Sequence, residues 1–309
     1  MVTRLYHHDV FLEHMTAPGH PERPDRLKAI AEALEGDEFG DLERVKAPEG
    51  DEAMLELAHS PAHVAAIRRA IPEEGLAQVD PDTWMSPRSW EAALRGVAAS
   101  ADAVDSVFTG KAHNAFVACR PPGHHAESRK AMGFCLFNNA AIAARHAQRA
   151  HGVERVAIID WDVHHGNGTQ EIFWDDASVL YCSTHQLPLY PGTGTVNETG
   201  AKGNIVNAPL SPGADGRVFR EAMDNALLPR VEEFRPDLII ISAGFDAHYR
   251  DPLAELRLQE DDFSWATGKL MDIAGRWCDY RVVSLLEGGY DLQGLASSVS
   301  AHLRRLMKG

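Results

Sequence analysis

The sequence predicts an α/β protein, a three-layer α/β/α sandwich around a mostly parallel sheet. Two observations support this prediction. Short continuous runs of β-branched and other apolar residues, typical of strands that are buried on both faces, recur along the chain. Longer segments with apolar residues at helical spacing separate these runs. Strands that alternate with helices in this way form parallel sheets covered by helices on both sides.

Five segments are predicted to be strands and five to be helices. The strands are 114–118, 155–161, 178–182, 237–243 and 281–286. The helices are 89–108, 138–150, 217–234, 261–277 and 292–307. The chain shows no internal repeat, low-complexity tract or long linker. We therefore expect a single domain that spans residues 1–309.

The composition narrows the class of protein. The chain has 309 residues, of which 44% are hydrophobic and 24% are charged, as in globular proteins. It has neither an apolar run of about 18 residues nor the N-terminal features of a signal peptide, so we expect no membrane association and a cytoplasmic location. The formal charge of −15 argues against nucleic acid as a partner. That charge could attract a cationic substrate or simply confer solubility. The four cysteines form no CxxC pair and suggest no cysteine-based metal site.

Polar residues gather where the predicted strands end. Asp160, Asp162 and His164 follow one strand at alternating positions, so their side chains point to one face. Three other strands are followed by segments rich in glycine that contain Asp, His or Tyr. These segments contribute His124, His125, Asp246 and Tyr290. Because the carboxyl ends of parallel strands share one edge of the sheet, we expect these residues to form a common site.

The residue types in this site match those of a metal-dependent hydrolase. A catalytic zinc ion needs three protein ligands and an open position. The candidate ligands are Asp162, His164 and Asp246. Two carboxylates cancel the charge of the ion, which should then acidify water less than an all-histidine site does, so a separate base is required. His124 and His125 are candidates for that base, and Tyr290 can donate a hydrogen bond to a substrate carbonyl.

These segments resemble motifs of the zinc-dependent histone deacetylase superfamily, in particular its class II-like bacterial deacetylases and acetylpolyamine amidohydrolases. The matching segments are HPERPDRL (20–27), DPDTWMSP (80–87), RPPGHHA (120–126), GFCLFNN (133–139), DWDVHHGNGTQ (160–170), YPGTG (190–194), GFDAH (244–248) and EGGYD (287–291). They span nearly the whole chain in order. The resemblance implies the arginase–deacetylase fold and assigns the zinc ion to the same three ligands.

The resemblance also implies a role for each catalytic residue. His125 would be the main general base and acid, His124 would be an electrostatic partner oriented by Asp160, and Tyr290 would polarise the acyl carbonyl. Asn167 matches the class II pattern, in which an amide replaces the aspartate of class I. A neutral amide can orient His125 without stabilising its cation, so we expect a lower pKa for this histidine than an aspartate would give. The alternative is that Asn167 caps the following helix.

Further positions are assigned to substrate and ions by resemblance alone. Phe134 and Tyr190 would line the acyl channel, although ordinary aromatic packing is an alternative for both. Three more positions complete the predicted substrate-binding set. Gly133 would leave space beside Phe134, Asp82 would be a carboxylate at the rim of the channel, and Leu253 would be a gatekeeper residue. Arg26 would lie at an internal exit, or else form a surface ion pair. A structural K⁺ ion is expected at the backbone of Asp160, Asp162 and His164, with Ser183 and Thr184.

The expected function is therefore zinc-dependent hydrolysis of an acyl-amide, acetyl-lysine-like bond. The first alternative is an acetylpolyamine amidohydrolase or a broad hydrolase of small amides. Leu253 has no carboxylate to pair with a secondary ammonium group, which disfavours polyamine substrates. A catalytically silent binding protein is a second alternative, but no expected ligand or catalytic group is missing. A dimanganese ureohydrolase is a third, disfavoured because Gly166 stands where a further metal ligand is needed. The metal could be Zn²⁺ or Fe²⁺, and a homo-oligomer is compatible with the sequence.

Overall fold

The computed structural model describes residues 1–309 and contains ten strands. In chain order they are β1 (Thr3–His7), β2 (Glu43–Lys46), β3 (Ala77–Asp80), β4 (Thr83–Met85), β5 (Asn114–Val117), β6 (Val156–Asp160), β7 (Val179–Gln186), β8 (Ile205–Leu210), β9 (Leu238–Ala243) and β10 (Val282–Leu286). Eight of them form one sheet in the order β2-β1-β5-β10-β9-β6-β7-β8, while β3 and β4 form a separate antiparallel pair. Every neighbouring pair in the large sheet is parallel.

Nine α-helices connect these strands. They are α1 (Asp25–Ala33), α2 (Pro61–Ala70), α3 (Ser89–Phe108), α4 (Asn139–His151), α5 (Asn167–Ile172), α6 (Gly216–Ala222), α7 (Leu228–Phe234), α8 (Glu260–Trp277) and α9 (Leu292–Lys308). None of these helices is both long enough and apolar enough to cross a bilayer. The predicted helix 217–234 is divided, because a π-helical turn at Met223–Leu227 separates α6 from α7. The turn precedes Pro229, which has no amide hydrogen to continue a regular helix.

Helices cover both faces of the sheet. Tyr6 and Val117 are neighbours in register on β1 and β5, and the Tyr6 hydroxyl donates to Asp102 of α3 at 2.6 Å. Asn114 lies three positions before Val117, so its side chain points to the opposite face. There its amide donates to the carbonyl of Leu306 in α9 at 3.0 Å. The predicted α/β/α sandwich is therefore confirmed.

The five predicted strands are the five contiguous central strands β5, β10, β9, β6 and β7. The strands that the sequence did not reveal lie at the flanks or in the small hairpin. β2 has no fully buried residue, and β8 includes Asn207 and Pro209, so neither gives a continuous apolar run. Only strands buried on both faces by helices carry the pattern on which the prediction relied.

The sheet order brings four strand-end segments together. β5, β10, β9 and β6 are consecutive neighbours. The segments that follow them, 118–138, 287–291, 244–259 and 161–166, therefore meet at the carboxyl edge of the sheet. This is the edge where ligands bind in parallel α/β folds.

Candidate active site

Three predicted metal ligands converge at the carboxyl edge of the sheet. The Nδ1 atom of His164 lies 3.1 Å from Oδ1 of Asp162 and 3.2 Å from Oδ2 of Asp246. All three residues are buried, and one ligand atom from each lies within 4.8 Å of the others. Three donor atoms thus surround one point, which is the arrangement that a single bound ion requires.

Backbone amides fix the orientation of both carboxylates. Oδ2 of Asp162 accepts a hydrogen bond from the amide of Gly288 at 2.8 Å, and Oδ1 of Asp246 accepts one from Val163 at 2.8 Å. The glycine is required here, because a Cβ atom at Gly288 would lie 2.0 Å from Oδ2 of Asp246. The same holds for Gly244, whose Cβ would lie 2.1 Å from Oδ2 of Asp162. The glycine-rich strand ends therefore leave space for the carboxylates.

The electrostatics of this cluster favour a cation. Burial and the charge of Asp162 raise the pKa of Asp246 to about 7. Burial lowers the pKa of His164, but hydrogen bonds to Asp162 and Asp246 outweigh it and raise that pKa to about 10. Two buried carboxylates thus bind positive charge tightly, from a proton or from an ion. Two carboxylate oxygens and one imidazole nitrogen are suitable ligands for a divalent transition ion.

His124 lies between two carboxylates. Its Nδ1–H donates to Oδ2 of Asp160 at 3.0 Å, and its Nε2 lies 3.8 Å from Oδ1 of Asp162. The hydroxyl of Tyr181 donates to the same Asp160 oxygen at 3.0 Å, which holds that carboxylate in place. Burial lowers the pKa of His124, but the charges of Asp162 and Asp160 outweigh it and raise the pKa well above its ordinary value. The two carboxylates therefore favour the cationic form of His124.

His125 is oriented by a chain of two hydrogen bonds, which determines the ring nitrogen that carries the proton. The amide nitrogen of Asn167 donates to Glu127 at 2.8 Å, so the Asn167 oxygen faces His125 and accepts from its Nδ1 at 2.8 Å. With the proton on Nδ1, Nε2 carries a free lone pair. Burial and the nearby charges of His124 and His164 place the pKa of His125 well below its ordinary value. His125 is thus neutral and able to accept a proton.

The helix-capping alternative for Asn167 is wrong. α5 begins at Asn167 itself, the residue in the cap position is Gly166, and no side chain caps this helix. The side chain of Asn167 is committed to His125 and Glu127 instead.

Tyr290 enters the site from the segment after β10. Its backbone amide donates to Oδ2 of Asp251 at 2.7 Å, which fixes the start of α9 against the 244–259 segment. The side chain is buried, and burial together with the charge of Asp246 raises the pKa of Tyr290 well above its ordinary value. The phenol therefore keeps its proton and remains a hydrogen-bond donor.

Arg26 is buried below Tyr290, and the surface ion-pair alternative is wrong. Its guanidinium lies 5.0 Å from the centre of the Tyr290 ring. It donates to the carbonyls of Glu287 and Gly289, each at 2.6 Å, and to the carboxylate of Glu22 at 3.1 Å. Arg26 thus supports the backbone that leads into Tyr290.

The predicted channel residues flank the histidine pair. The ring of Tyr190 lies 5.1 Å from that of His125, and the ring of Phe134 lies 5.9 Å from that of Tyr290. Tyr190 is 38% exposed, so one side of it faces solvent. Gly133 has φ +57°, and a Cβ atom there would lie 2.4 Å from the His125 ring. Close contact with the histidine therefore requires glycine at this position.

Asp82 and Leu253 are also near the site, each through a backbone link. Oδ1 of Asp82 accepts the amide of Gly133 at 3.1 Å, so this carboxylate supports the channel loop. The amide of Leu253 donates to Oδ1 of Asp251 at 3.0 Å, and Asp251 also holds Tyr290. The structure thus brings every predicted site residue to this edge of the sheet.

Several functional neighbours escaped the sequence analysis. The most central is Glu287, which is fully buried and accepts the amides of Gly123 at 2.6 Å and His124 at 3.1 Å. Burial raises the pKa of Glu287 to about 7. Glu127, Asp251 and Tyr181 form hydrogen bonds with Asn167, Tyr290 and Asp160 and so orient predicted site residues. Glu287 alone had a signal in the sequence, since it is an acidic residue at the end of a buried strand.

Fold and site together define a class: an α/β/α protein with a buried Asp₂His cluster beside a pair of histidines at the carboxyl edge of a parallel sheet. The model of the histone deacetylase domain matches residues 20–306. A crystal structure of the HDA15 HD domain matches 99% of this chain and 88% of its own, with TM-score 0.94 and 39% identity. A histone deacetylase-like amidohydrolase of Pseudomonas aeruginosa is 39% identical over 89% of this chain and 73% of its own. A probable deacetylase of Archaeoglobus fulgidus is 38% identical over 95% of this chain and 83% of its own.

The chain belongs to the histone deacetylase family and has its arginase–deacetylase fold. This membership makes it a hydrolase of the deacetylase and amidohydrolase type.

The hydrogen bond between Asn167 and His125 makes a prediction about pH. Replacing Asn167→Asp together with Glu127→Gln keeps both hydrogen bonds but places an anion beside His125. We expect this anion to raise the pKa of His125, because a negative charge beside the ring stabilises the imidazolium. Protonated His125 cannot accept a proton, so the loss of kcat/KM on acidification should occur at a higher pH. The pH profile of the metal-loaded double variant checks this, with Glu127→Gln alone as control. An unchanged acid limb would contradict it.

Proposed function

We propose that residues 1–309 form one catalytic domain that uses a single Zn²⁺ ion to hydrolyse acyl-amide bonds of the acetyl-lysine type. One observation carries this proposal. An Asp₂His ion site, a neutral histidine with a free Nε2 atom and a protonated tyrosine converge at one edge of the sheet. These are the components needed to activate water and to stabilise charge on an acyl oxygen.

The ion would be held by Asp162, His164 and Asp246, whose three donor atoms lie together. When bound, it would supply Lewis-acid activation of the acyl carbonyl and of the attacking water. The two carboxylates would neutralise the charge of the ion. A protein base is then needed to remove the proton of the water.

His125 is the proposed base. Its Nε2 atom would accept the proton of the attacking water, and the same atom would return it to the leaving amine. His124 would remain cationic between Asp160 and Asp162 and would favour the negative charge that develops in the transition state. The centroids of the two rings are 4.0 Å apart. A positive charge on His124 therefore also disfavours protonation of His125.

Tyr290 would donate a hydrogen bond to the acyl oxygen as that oxygen gains charge. Its raised pKa ensures that the proton is present at neutral pH. Asp251 and Arg26 fix the peptide group that leads into this residue, through its amide, Tyr290 N, in one case and its carbonyl, Gly289 O, in the other. The donor is thus positioned before substrate arrives.

The proposed substrate enters between aromatic rings. Phe134 and Tyr190 would contact the extended apolar part of an acyl-lysine, and Gly133 would leave room beside them. Asp82 would bind substrate amides at the rim with the oxygen that Gly133 does not use. Leu253 offers no charge to a secondary ammonium group, which favours acetyl-lysine-like substrates.

A second candidate is an acetylpolyamine amidohydrolase or a broad hydrolase of small amides. The observation in its favour is negative charge near the channel. Burial and then the carboxylates of Asp82, Asp80 and Glu127 raise the pKa of Tyr190 above its ordinary value. Such charge would attract a polyamine. A relative in Pseudomonas aeruginosa is itself named an amidohydrolase.

We also propose a structural K⁺ ion beside β6, bound by the backbone of Asp160, Asp162 and His164, with Ser183 and Thr184. Asp160 and Ser183 are register partners on β6 and β7. Nε2 of His185 donates to the carbonyl of Gly194 at 2.8 Å, so its Nδ1 must accept from the Ser183 hydroxyl at 2.9 Å. The oxygen lone pairs of Ser183 then remain free for a cation.

A cytoplasmic location and the absence of nucleic-acid and membrane partners stay predictions.

Removing either proton-handling group should abolish most of the activity. We expect His125→Ala and Tyr290→Phe each to lower kcat on an acetyl-lysine peptide by about two decades or more, because each removes stabilisation specific to the transition state. Bound zinc should be retained, as measured by elemental analysis. Tyr280→Phe, on a tyrosine remote from the site, serves as the control. Turnover at the wild-type rate in either site variant would remove the assigned role.

The residue at position 253 should separate the two candidate substrates. We expect Leu253→Glu to raise the kcat/KM ratio of acetylpolyamine to acetyl-lysine peptide by about tenfold, the effect of a roughly 1.4 kcal/mol charge interaction. Leu253→Gln has the same shape without the charge and should leave the ratio near that of the wild type. If both variants change the ratio equally, charge at this position does not select the substrate.

A further inference from the structure

A second cluster of potential metal ligands lies between α3 and α4. The Nε2 atoms of His146 and His151 each lie 2.7 Å from the same oxygen, Oδ1 of Asp105. One donor atom from each residue lies within 4.8 Å of the others, as in the catalytic cluster. The side chains of both histidines are 19% exposed and that of Asp105 is 43% exposed, so an ion can reach them from solvent.

This cluster is far from the catalytic edge. α4 begins at Asn139, directly after the segment that contains His124 and His125, and it runs away from that edge for 13 residues. At 1.5 Å per residue its far end is about 20 Å away. His151 is the last residue of α4 and is followed by β6, so it lies at the opposite edge of the sheet. Nothing in the proposed mechanism uses these residues.

We propose that Asp105, His146 and His151 form a second binding site for a divalent transition ion, such as Zn²⁺ or Ni²⁺, which links α3 to α4. Two imidazole nitrogens and one carboxylate oxygen suit such ions, and solvent can supply the remaining ligands. Bonds of about 2.0–2.1 Å in a tetrahedral site would require ligand atoms about 3.3 Å apart. The present 2.7 Å separations would have to open by roughly half an ångström, which partly exposed side chains allow.

The surroundings of the cluster prepare it for a cation. The ring of His151 stacks on Phe108 of α3, with centroids 4.7 Å apart and planes at 15°, which holds the imidazole in its present orientation. His151 also lies in the last turn of α4, where unpaired carbonyl groups make the end of the helix favourable for positive charge. A bound ion would therefore join two helices that already pack together.

Zinc content tests this site without reference to catalysis. The full chain, freed of any affinity tag, is dialysed against micromolar Zn²⁺ and its zinc per chain is measured by elemental analysis. The wild type should hold one equivalent more than the His146→Gln/His151→Gln double variant. Glutamine keeps an N–H group that can donate to Asp105 but is a poor zinc ligand. Turnover should be the same in both proteins. His113→Gln, on an exposed histidine outside the cluster, should retain the wild-type zinc content.

Two further measurements test the same site, namely the zinc content of an Asp105 variant and the effect of zinc on thermal unfolding. Asp105→Asn retains an oxygen that accepts from both histidines but loses the charge, and it should also lose the additional equivalent. The thermal unfolding midpoint should rise with added Zn²⁺ in the wild type more than in either variant. Equal zinc content in the wild type and the variants would overturn the proposal and leave the cluster as hydrogen bonds alone. Because the readout is a difference between proteins, it does not depend on the catalytic site.

Discussion

Two carboxylates buried at one point, Asp162 and Asp246, constrain the rest of the site. Their charges cannot coexist in the interior without a cation, and burial raises the pKa of Asp246 accordingly. The glycines at the strand ends provide the space, and backbone amides of the adjoining segments bind the outer oxygens. The most buried part of the sheet edge is thus built to hold positive charge. Asp162 follows β6, Asp246 follows β9 and the Gly288 amide follows β10. These groups meet because the three strands are neighbours in the sheet.

The adjacent histidines show how hydrogen-bond partners divide one residue type between two roles. His124 donates to an aspartate, and its pKa is raised; His125 donates to an asparagine, and its pKa is lowered. Glu127 makes this distinction definite, because a carboxylate can only accept and so determines which way the Asn167 amide points. The environments thus favour a neutral and a cationic imidazole side by side with no change in the histidines themselves.

The sequence was most informative where burial is complete. The central strands and the residues at their carboxyl ends were predictable, because a strand covered on both faces must be continuously apolar and its ends share one edge. The flanking strands β2 and β8 lacked that pattern. Residues that orient the proposed catalytic groups, such as Glu127 and Asp251, were also missed, since their partners are fixed only by tertiary folding. The Asp105 cluster escaped for the same reason: its histidines are five residues apart on α4, and the aspartate is on another helix.

The proposed chemistry depends on one divalent ion bound where the ends of β6 and β9 converge. The most direct measurement is anomalous diffraction at the zinc absorption edge from crystals of the zinc-loaded protein. We expect an anomalous peak at about 2.0–2.2 Å from an oxygen of Asp162, Nδ1 of His164 and an oxygen of Asp246. Fully active protein whose zinc peak lies elsewhere, with these three side chains bound only to one another, would contradict it.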